Sequence, residues 1–535
     1  MRRTNNRNIL NRGQMNSRWL SISQSLIKSQ FLLLILLMFP VFASAQSFLK
    51  GFDEYVDRTM RSFDAPGVAI GIVKNDSLIY SKGFGVCKLG TNQAVDENTL
   101  FAIGSISKST VAVALGMLVD EGKLKWDDRV TQYLPDFQLF DPWVTCEITI
   151  RDLLTHRSGL ISESGGTIWY GSDYDRAEVV QRLRYLKPVT SFRYKYAYQN
   201  VMYLVAGEII PAVTGQTWDD FVKERIFRPL GMCTTNTHLN DLDNFTNVSI
   251  PHAMLNGRQQ PISYRNYDNV GPACSVNSTA VEMAQYVRLL LNGGVYKGQR
   301  LYSEAVACEL FNPQMIVPIR DYGPGLELMK PNFFAYGFGW FLKDYRGRKL
   351  VFHTGGLDGI RAMVMMIPAE KLGIIVLSNQ EDSRFYNVLT YYLLDMYLTG
   401  KPYDWAAAYL KDRETALQHA AENERKIQAA RIPGTKPSLE LSRYIGKYND
   451  RMCGEIIVGL EAGHLVLKFS HTPSFTADLE HWHYNTFRLK WRDPVVPDGF
   501  LTFQLSADGK VRRIDLDQPN LLDVDFTELE ILRVD

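Results

Sequence analysis

Apolar residues follow two different rhythms along this chain. Residues 67–73 are continuously apolar, 74–77 form a polar turn, and 78–81 are apolar again, which predicts a strand and its return. Residues 109–119 are apolar nearly all round, which predicts a buried helix stopped by Glu121-Gly122. Further helices are expected at 150–154, 201–210 and 280–291, the last ended by Asn292-Gly293-Gly294. Strand signals return at 336–342 and 349–353, and 362–367 with 373–378 reads as a hairpin around 368–371. A helix over 386–398 closes this part. Strands at both ends of a helical middle predict one antiparallel sheet built from both termini: an α+β domain.

Beyond residue 400 the rhythm changes. Residues 414–430 are charged and alanine-rich, and Pro433-Gly434-Thr435-Lys436-Pro437 follows, which reads as a helical linker and a breaker. Short strands then come close together at 454–459, 464–469, 501–505 and 511–516, the pattern of a small all-β barrel or sandwich. At the other end, a leader with Arg2, Arg3, Arg7, Arg12, Arg18 and Lys28 precedes the apolar stretch 31–42 and Ala43-Ser44-Ala45. That is the layout of a secretory signal cut before Gln46, with no stable membrane span left after cleavage. The expected organisation is a signal peptide over 1–45, the α+β domain over 46–400, a helical linker over 401–437 and a β-barrel over 438–535. The expected location is periplasmic or secreted.

Composition narrows the function. Charged residues make up 22% of the 535 and the net charge is +1, so no basic field suits nucleic acid. The six cysteines, at 87, 146, 233, 274, 308 and 453, form no C-x-x-C and suit buried small hydrophobes better than metal ligands.

The chemistry is concentrated in Ser105-Ile106-Ser107-Lys108, at the head of the buried helix. Positions i and i+3 share a helix face, so an amine partly removed from water lies beside a hydroxyl and can take its proton. The same spacing occurs at Ser25–Lys28 and Ser47–Lys50, but these fall in the leader or just after it. A second proton carrier is sought among three Tyr-x-Asn triplets, beginning at Tyr198, Tyr264 and Tyr267. Tyr198 is favoured because it directly precedes a helix and carries Asn200 with it. Oxyanion donors are expected from His353-Thr354-Gly355-Gly356, where a strand ends in consecutive glycines that let a substrate backbone come close.

Taken in chain order with Leu153-Leu154-Thr155-His156-Arg157-Ser158-Gly159-Leu160, Pro229-Leu230-Gly231-Met232 and Leu377-Ser378-Asn379, these motifs resemble the serine β-lactamase-like family of class C type, related to penicillin-binding proteins. The resemblance spans about residues 50–400. It implies an antiparallel sheet flanked by helices plus a helical subdomain, with the site between them, and Ser105 as nucleophile, Lys108 as its proton acceptor and Tyr198 as base and shuttle. Asn200 then holds the substrate amide, His353 and Thr354 bind substrate, Gly355 lets it approach, and the N–H groups of Ser105 and Gly356 form the oxyanion hole. It implies neither metal nor cofactor. One departure is His353 where many relatives carry lysine, so a fixed cation for a substrate carboxylate is lacking and strong β-lactamase action is not expected. The C-terminal segment resembles the lipocalin-like barrel appended to some members. Its stretch Leu479-Glu480-His481-Trp482-His483-Tyr484 suits a structural or gating role better than a metal site. The expected function is an exported serine hydrolase working through an acyl-enzyme. A peptidase or amidase on short peptides, D-residue peptides included, leads over an esterase, with a weakly active penicillin-binding sensor or ligand-binding protein as the remaining alternative.

Overall fold

The computed structural model describes residues 49, 51–519 and 521–534, so the leader, the cleavage site and the Ser25–Lys28 spacing lie outside it. An eight-stranded antiparallel sheet organises the first part. Its strands are β1 (Gly67–Lys74), β2 (Ser77–Gly85), β3 (Met315–Ile316), β4 (Phe334–Tyr336), β5 (Phe341–Tyr345), β6 (Arg348–Leu357), β7 (Ile360–Ile367) and β8 (Leu372–Ser378). They lie in the order β2-β1-β8-β7-β6-β5-β4-β3, so both ends of the domain's chain meet where β1 pairs with β8, Ile70 opposite Val376. Continuous burial along β8 explains its unbroken apolar run: helices cover the sheet, and no polar face is left. Helix Ala280–Leu291 packs on β1 and β8, and helix Ser383–Thr399 packs on β7 and β8. At Gly373 an added Cβ would lie 2.3 Å from Val287, so glycine is what lets the first of these helices lie that close.

One expected strand proves to be two. Residues 336–342 are not a single strand but a tight reversal, with Tyr336 of β4 opposite Phe341 of β5. The reason is close packing. Gly339 has φ +75°, and a Cβ there would sit 2.9 Å from Ser109 Cα, so the turn docks directly on the helix that follows Lys108. Apolar periodicity cannot show a reversal inside an apolar run; the two glycines are its only trace.

Beyond the sheet domain, helix Trp405–Ala429 is fixed at both ends. Trp405 donates its indole N–H to buried Asp395, which also takes Arg346 and the Tyr345 hydroxyl. At the far end Arg431 donates to the carbonyls of His481 and Trp482. The C-terminal part is a closed barrel of eight strands, from Gly446–Asp450 to Ile531–Arg533. Strands Thr476–His483 and Thr486–Trp491 escape the sequence pattern because charged residues alternate through them. Buried aromatic rings pack closely here: Tyr444 lies 4.6 Å from Phe503, and Phe487 lies 5.6 Å from Phe503, centroid to centroid. A bulge falls between His481 and His483, and each ring is used locally, His481 with the Tyr484 carbonyl and His483 with the Ile432 N–H. His483 thereby holds the end of the linker.

All six cysteines are free. Cys87, Cys274 and Cys453 are buried as expected, but Cys146, Cys233 and Cys308 are exposed, which corrects the uniform reading of them as core residues. Among the described residues no helix is long and apolar enough to cross a membrane.

Candidate active site

Ser105 lies in a 3₁₀ turn, Gly104–Ser107, that runs straight into the helix Lys108–Asp120. In a 3₁₀ turn residues i and i+3 eclipse one another, which brings the two groups closer than an α-helical face would. The Lys108 Nζ lies 3.1 Å from Ser105 Oγ and also donates to Asn200 Oδ1 at 2.5 Å and to the Ala273 carbonyl at 3.1 Å. The Lys108 side chain is wholly buried, and loss of water pulls its pKa down to about 8. Two nearby groups oppose that pull, the Asp523 carboxylate and Cys274.

Tyr198 stands over this pair. Its ring centroid is 4.6 Å from Lys108 Nζ, and its hydroxyl bonds with Ser105. Burial holds its pKa well above 10, so it is a phenol at neutral pH. The backbone around it is pinned by the Thr-His-Arg-Ser-Gly segment. Glu163 N–H donates to the Tyr198 carbonyl at 2.7 Å, Gln199 N–H donates to His156 Nδ1, and the Gln199 amide is held by Ser158 and by the carbonyls of Leu160 and Ile161. His156 is the centre of that packing, with Tyr198, Tyr203 and Tyr336 rings 4.5, 5.1 and 4.8 Å away. It sits at φ +56°, a strained value for a non-glycine residue. The other two Tyr-x-Asn triplets are used elsewhere: Tyr264 donates to the Ser249 carbonyl, and Tyr267 packs against Trp169 and Tyr170.

The third group comes from β6. His353 Nε2 meets the Tyr336 hydroxyl at 3.1 Å and Nδ1 lies 2.7 Å from the Thr354 carbonyl. Burial, reinforced by Lys108, pushes its pKa down to about 3, so it is neutral across the physiological range. Thr354 is steadied by the Tyr386 hydroxyl from helix Ser383–Thr399. Gly355 is a steric necessity: a Cβ there would lie 1.9 Å from the Ile103 carbonyl. That contact presses β6 against the turn that carries Ser105, and Gly104 in turn lies against the Gly356 nitrogen.

Sequence reasoning missed the contribution of the barrel. The segment 521–528 crosses to the sheet domain, and Asp523, at φ +62°, hydrogen-bonds Asn200 and faces Lys108. Leu522 lies over Gly356, with Cδ2 3.1 Å from where a Cβ would stand. Farther along, Glu528 accepts from Ser164 and, at 2.8 Å, from the Gly165 N–H. No motif marks these residues, because their role comes only from the docking of one domain on the other. A buried amine beside a hydroxyl, with a phenol on the same oxygen and strand β6 pressed against the turn that carries them, is an arrangement able to support acyl transfer by a serine.

Fold and site together define a serine hydrolase of the β-lactamase and penicillin-binding-protein type. Residues 52–397 match the Beta-lactamase family, and the chain belongs to it. Residues 430–532 match a domain of unknown function, DUF3471. The chain is 29% identical over 420 residues to Unguisins hydrolase ungD′ of Aspergillus campestris, covering 75% of each. It is 28% identical to Penicillin-binding protein 4 of Amycolatopsis lactamdurans, covering 61% of this chain and 84% of that one. Among solved structures, an octameric penicillin-binding protein homologue from Pyrococcus abyssi superposes with a TM-score of 0.56 at 20% identity, covering 91% of this chain and all of the other. SurE superposes at 0.52 and 17% identity, covering 92% and 99%. These two likenesses are of fold.

Proposed function

We propose that the protein is an exported serine hydrolase that cleaves short peptide or amide substrates, D-residue peptides among them, through an ester on Ser105. The observation that carries this reading is the buried Lys108 amine 3.1 Å from Ser105 Oγ. In its neutral form Lys108 takes the proton as Ser105 Oγ attacks the carbonyl carbon. The oxygen that becomes negative is held by the N–H groups of Ser105 and Gly356. Tyr198, a phenol, passes the proton on to the leaving nitrogen, the C–N bond breaks, and the acyl-enzyme remains. Water then repeats the sequence in reverse roles and frees the acid. Asn200 orients the substrate amide, and neutral His353 with Thr354 bounds the pocket. A neutral imidazole gives a substrate carboxylate no fixed cation, which favours amides and peptides over carboxylate-bearing β-lactams. One relative is named an unguisins hydrolase and another a penicillin-binding protein, which supports a hydrolytic reaction at this centre. An esterase built on the same centre is the alternative.

Fluorophosphonate labelling read by intact mass tests the centre. One adduct is expected on the wild type and none on Ser105→Ala, whose turnover should fall on the order of 10³-fold or more. Full labelling of Ser105→Ala overturns the assignment. A panel of L- and D-peptides, esters and β-lactams then separates amidase from esterase. N-terminal sequencing of protein from its native host should begin at Gln46.

A further inference from the structure

Between the two domains runs a cleft of about 1150 Å³. Its walls are Phe140, Ile161, Arg184 and Val189 of the hydrolase domain, and Arg451 and Leu532 of the barrel, so neither domain forms it alone. We propose that this cleft binds the part of a peptide substrate remote from the scissile bond, as an apolar chain of several residues that carries a carboxylate. The inference rests on the serine-hydrolase reading and assigns its far subsites to the domain interface.

Three observations carry it. The first is continuity with the proposed site. Ile161 is two residues from Glu163, whose N–H bonds the Tyr198 carbonyl at 2.7 Å. Two residues span at most about 7 Å, so the inner wall of the cleft lies beside the backbone that carries Tyr198. The barrel segment repeats the link from the other side. Asp523 bonds Asn200, and Thr527, four residues on and within about 14 Å of chain, already lines the cleft. The second is size. Pockets for small ligands commonly measure about 300–1,000 Å³, and this cleft exceeds them. The third is chemistry. Phe140, Val189 and Leu532 leave 50%, 57% and 48% of their surface exposed, a large apolar shelf facing water. The carboxylate of Glu528 is taken up by Ser164 and Gly165 and that of Glu530 by Lys187, whereas among the described residues Arg184 and Arg451 form no ion pair. Arg184, Lys187 and Arg451 line the cleft together with Asp450, Glu528 and Glu530, and Arg451 also acts on the Glu530 carboxylate, which leaves Arg184 as the cation to meet an anionic group on an otherwise apolar chain.

The test uses the full-length enzyme and peptides of two to six alanine and leucine residues, all-L and all-D, with a C-terminal carboxylate or carboxamide. p-Nitrophenyl butyrate serves as a substrate too short to reach the cleft. In the wild type kcat/KM should rise roughly tenfold or more from two residues to six. The double variant Val189→Glu, Leu532→Glu should lose that rise, and Arg184→Glu with Arg451→Glu should lose the preference for carboxylate over carboxamide. Both should hydrolyse the ester within about twofold of wild type, since exposed substitutions cost little stability. A wild type with no length dependence, one that cleaves the ester but none of the peptides, or a rise that survives in the apolar variant overturns the inference. So does a cleft variant that changes only the sedimentation coefficient, which would make the cleft a contact between copies. Absence of both Ser105 labelling and ester turnover in the wild type would instead overturn the serine-hydrolase reading itself.

Discussion

Lys108 must be uncharged to accept a proton, and burial sets its pKa near 8. The kcat/KM profile should therefore rise with pH and level off above about 8–9, one unit past that midpoint. Asp523 opposes the effect of burial by stabilising the ammonium. Removing its charge in Asp523→Asn should move the rising limb to lower pH, which a pH–rate comparison of the two proteins reads directly. An unmoved limb would mean that Asp523 does not act on the lysine. His353→Lys bears on the neighbouring group. A cation in place of an imidazole held near pKa 3 should shift preference toward substrates that carry a carboxylate, measured as kcat/KM for matched acid and amide pairs.

The turn, the strand end and the barrel segment each have their own test. At Gly355 a Cβ would lie 1.9 Å from a main-chain oxygen, whereas at Gly356 it would lie 3.1 Å from the flexible end of Leu522. Gly355→Ala should therefore lose most of its activity and several degrees of melting temperature, and Gly356→Ala, which keeps its N–H, should lose far less. Glu528 and Glu163 have pKa values raised to about 7, in both cases by burial first and then by neighbouring carboxylates. A carboxyl whose folded-state pKa lies above its unfolded value near 4.5 stabilises the fold below that value, and loses the contribution as pH climbs toward 7. Melting temperature should fall between pH 5 and 8, and Glu528→Gln should flatten the fall. This scale also shows where the sequence was readable. Ser105 and Lys108 could be paired on paper because local helical geometry fixes their relation, and β1 and β8 because burial on both faces leaves an unbroken apolar run. The β4–β5 reversal was hidden because turn and strands share one composition. Asp523 was hidden because nothing local distinguishes it from any other loop aspartate.

At the scale of the whole molecule the barrel is part of the hydrolase rather than an appendage. Arg265 is bound on one side by Asp358 of the sheet domain at 2.8 Å and on the other by Asp493 of the barrel at 2.7 Å. Tyr170 stacks on barrel Phe475 at 5.6 Å and donates to the same Asp358. Calorimetry should show one cooperative transition for the two domains. Arg265→Ala leaves two largely buried carboxylates without their cation, which costs about 3–5 kcal/mol by the usual measure of broken buried pairs. It should lower the transition or split it in two.

The helix from Trp405 to Ala429, held at Asp395 and again near His481, has one more consequence. It makes the meeting of barrel and hydrolase an intramolecular event with a high effective concentration. Cutting the chain within residues 432–437 would remove that advantage without removing a single contact between the domains. The nicked enzyme should behave as a reversible complex of two polypeptides. Its specific activity would fall on dilution and return when the purified barrel is added back.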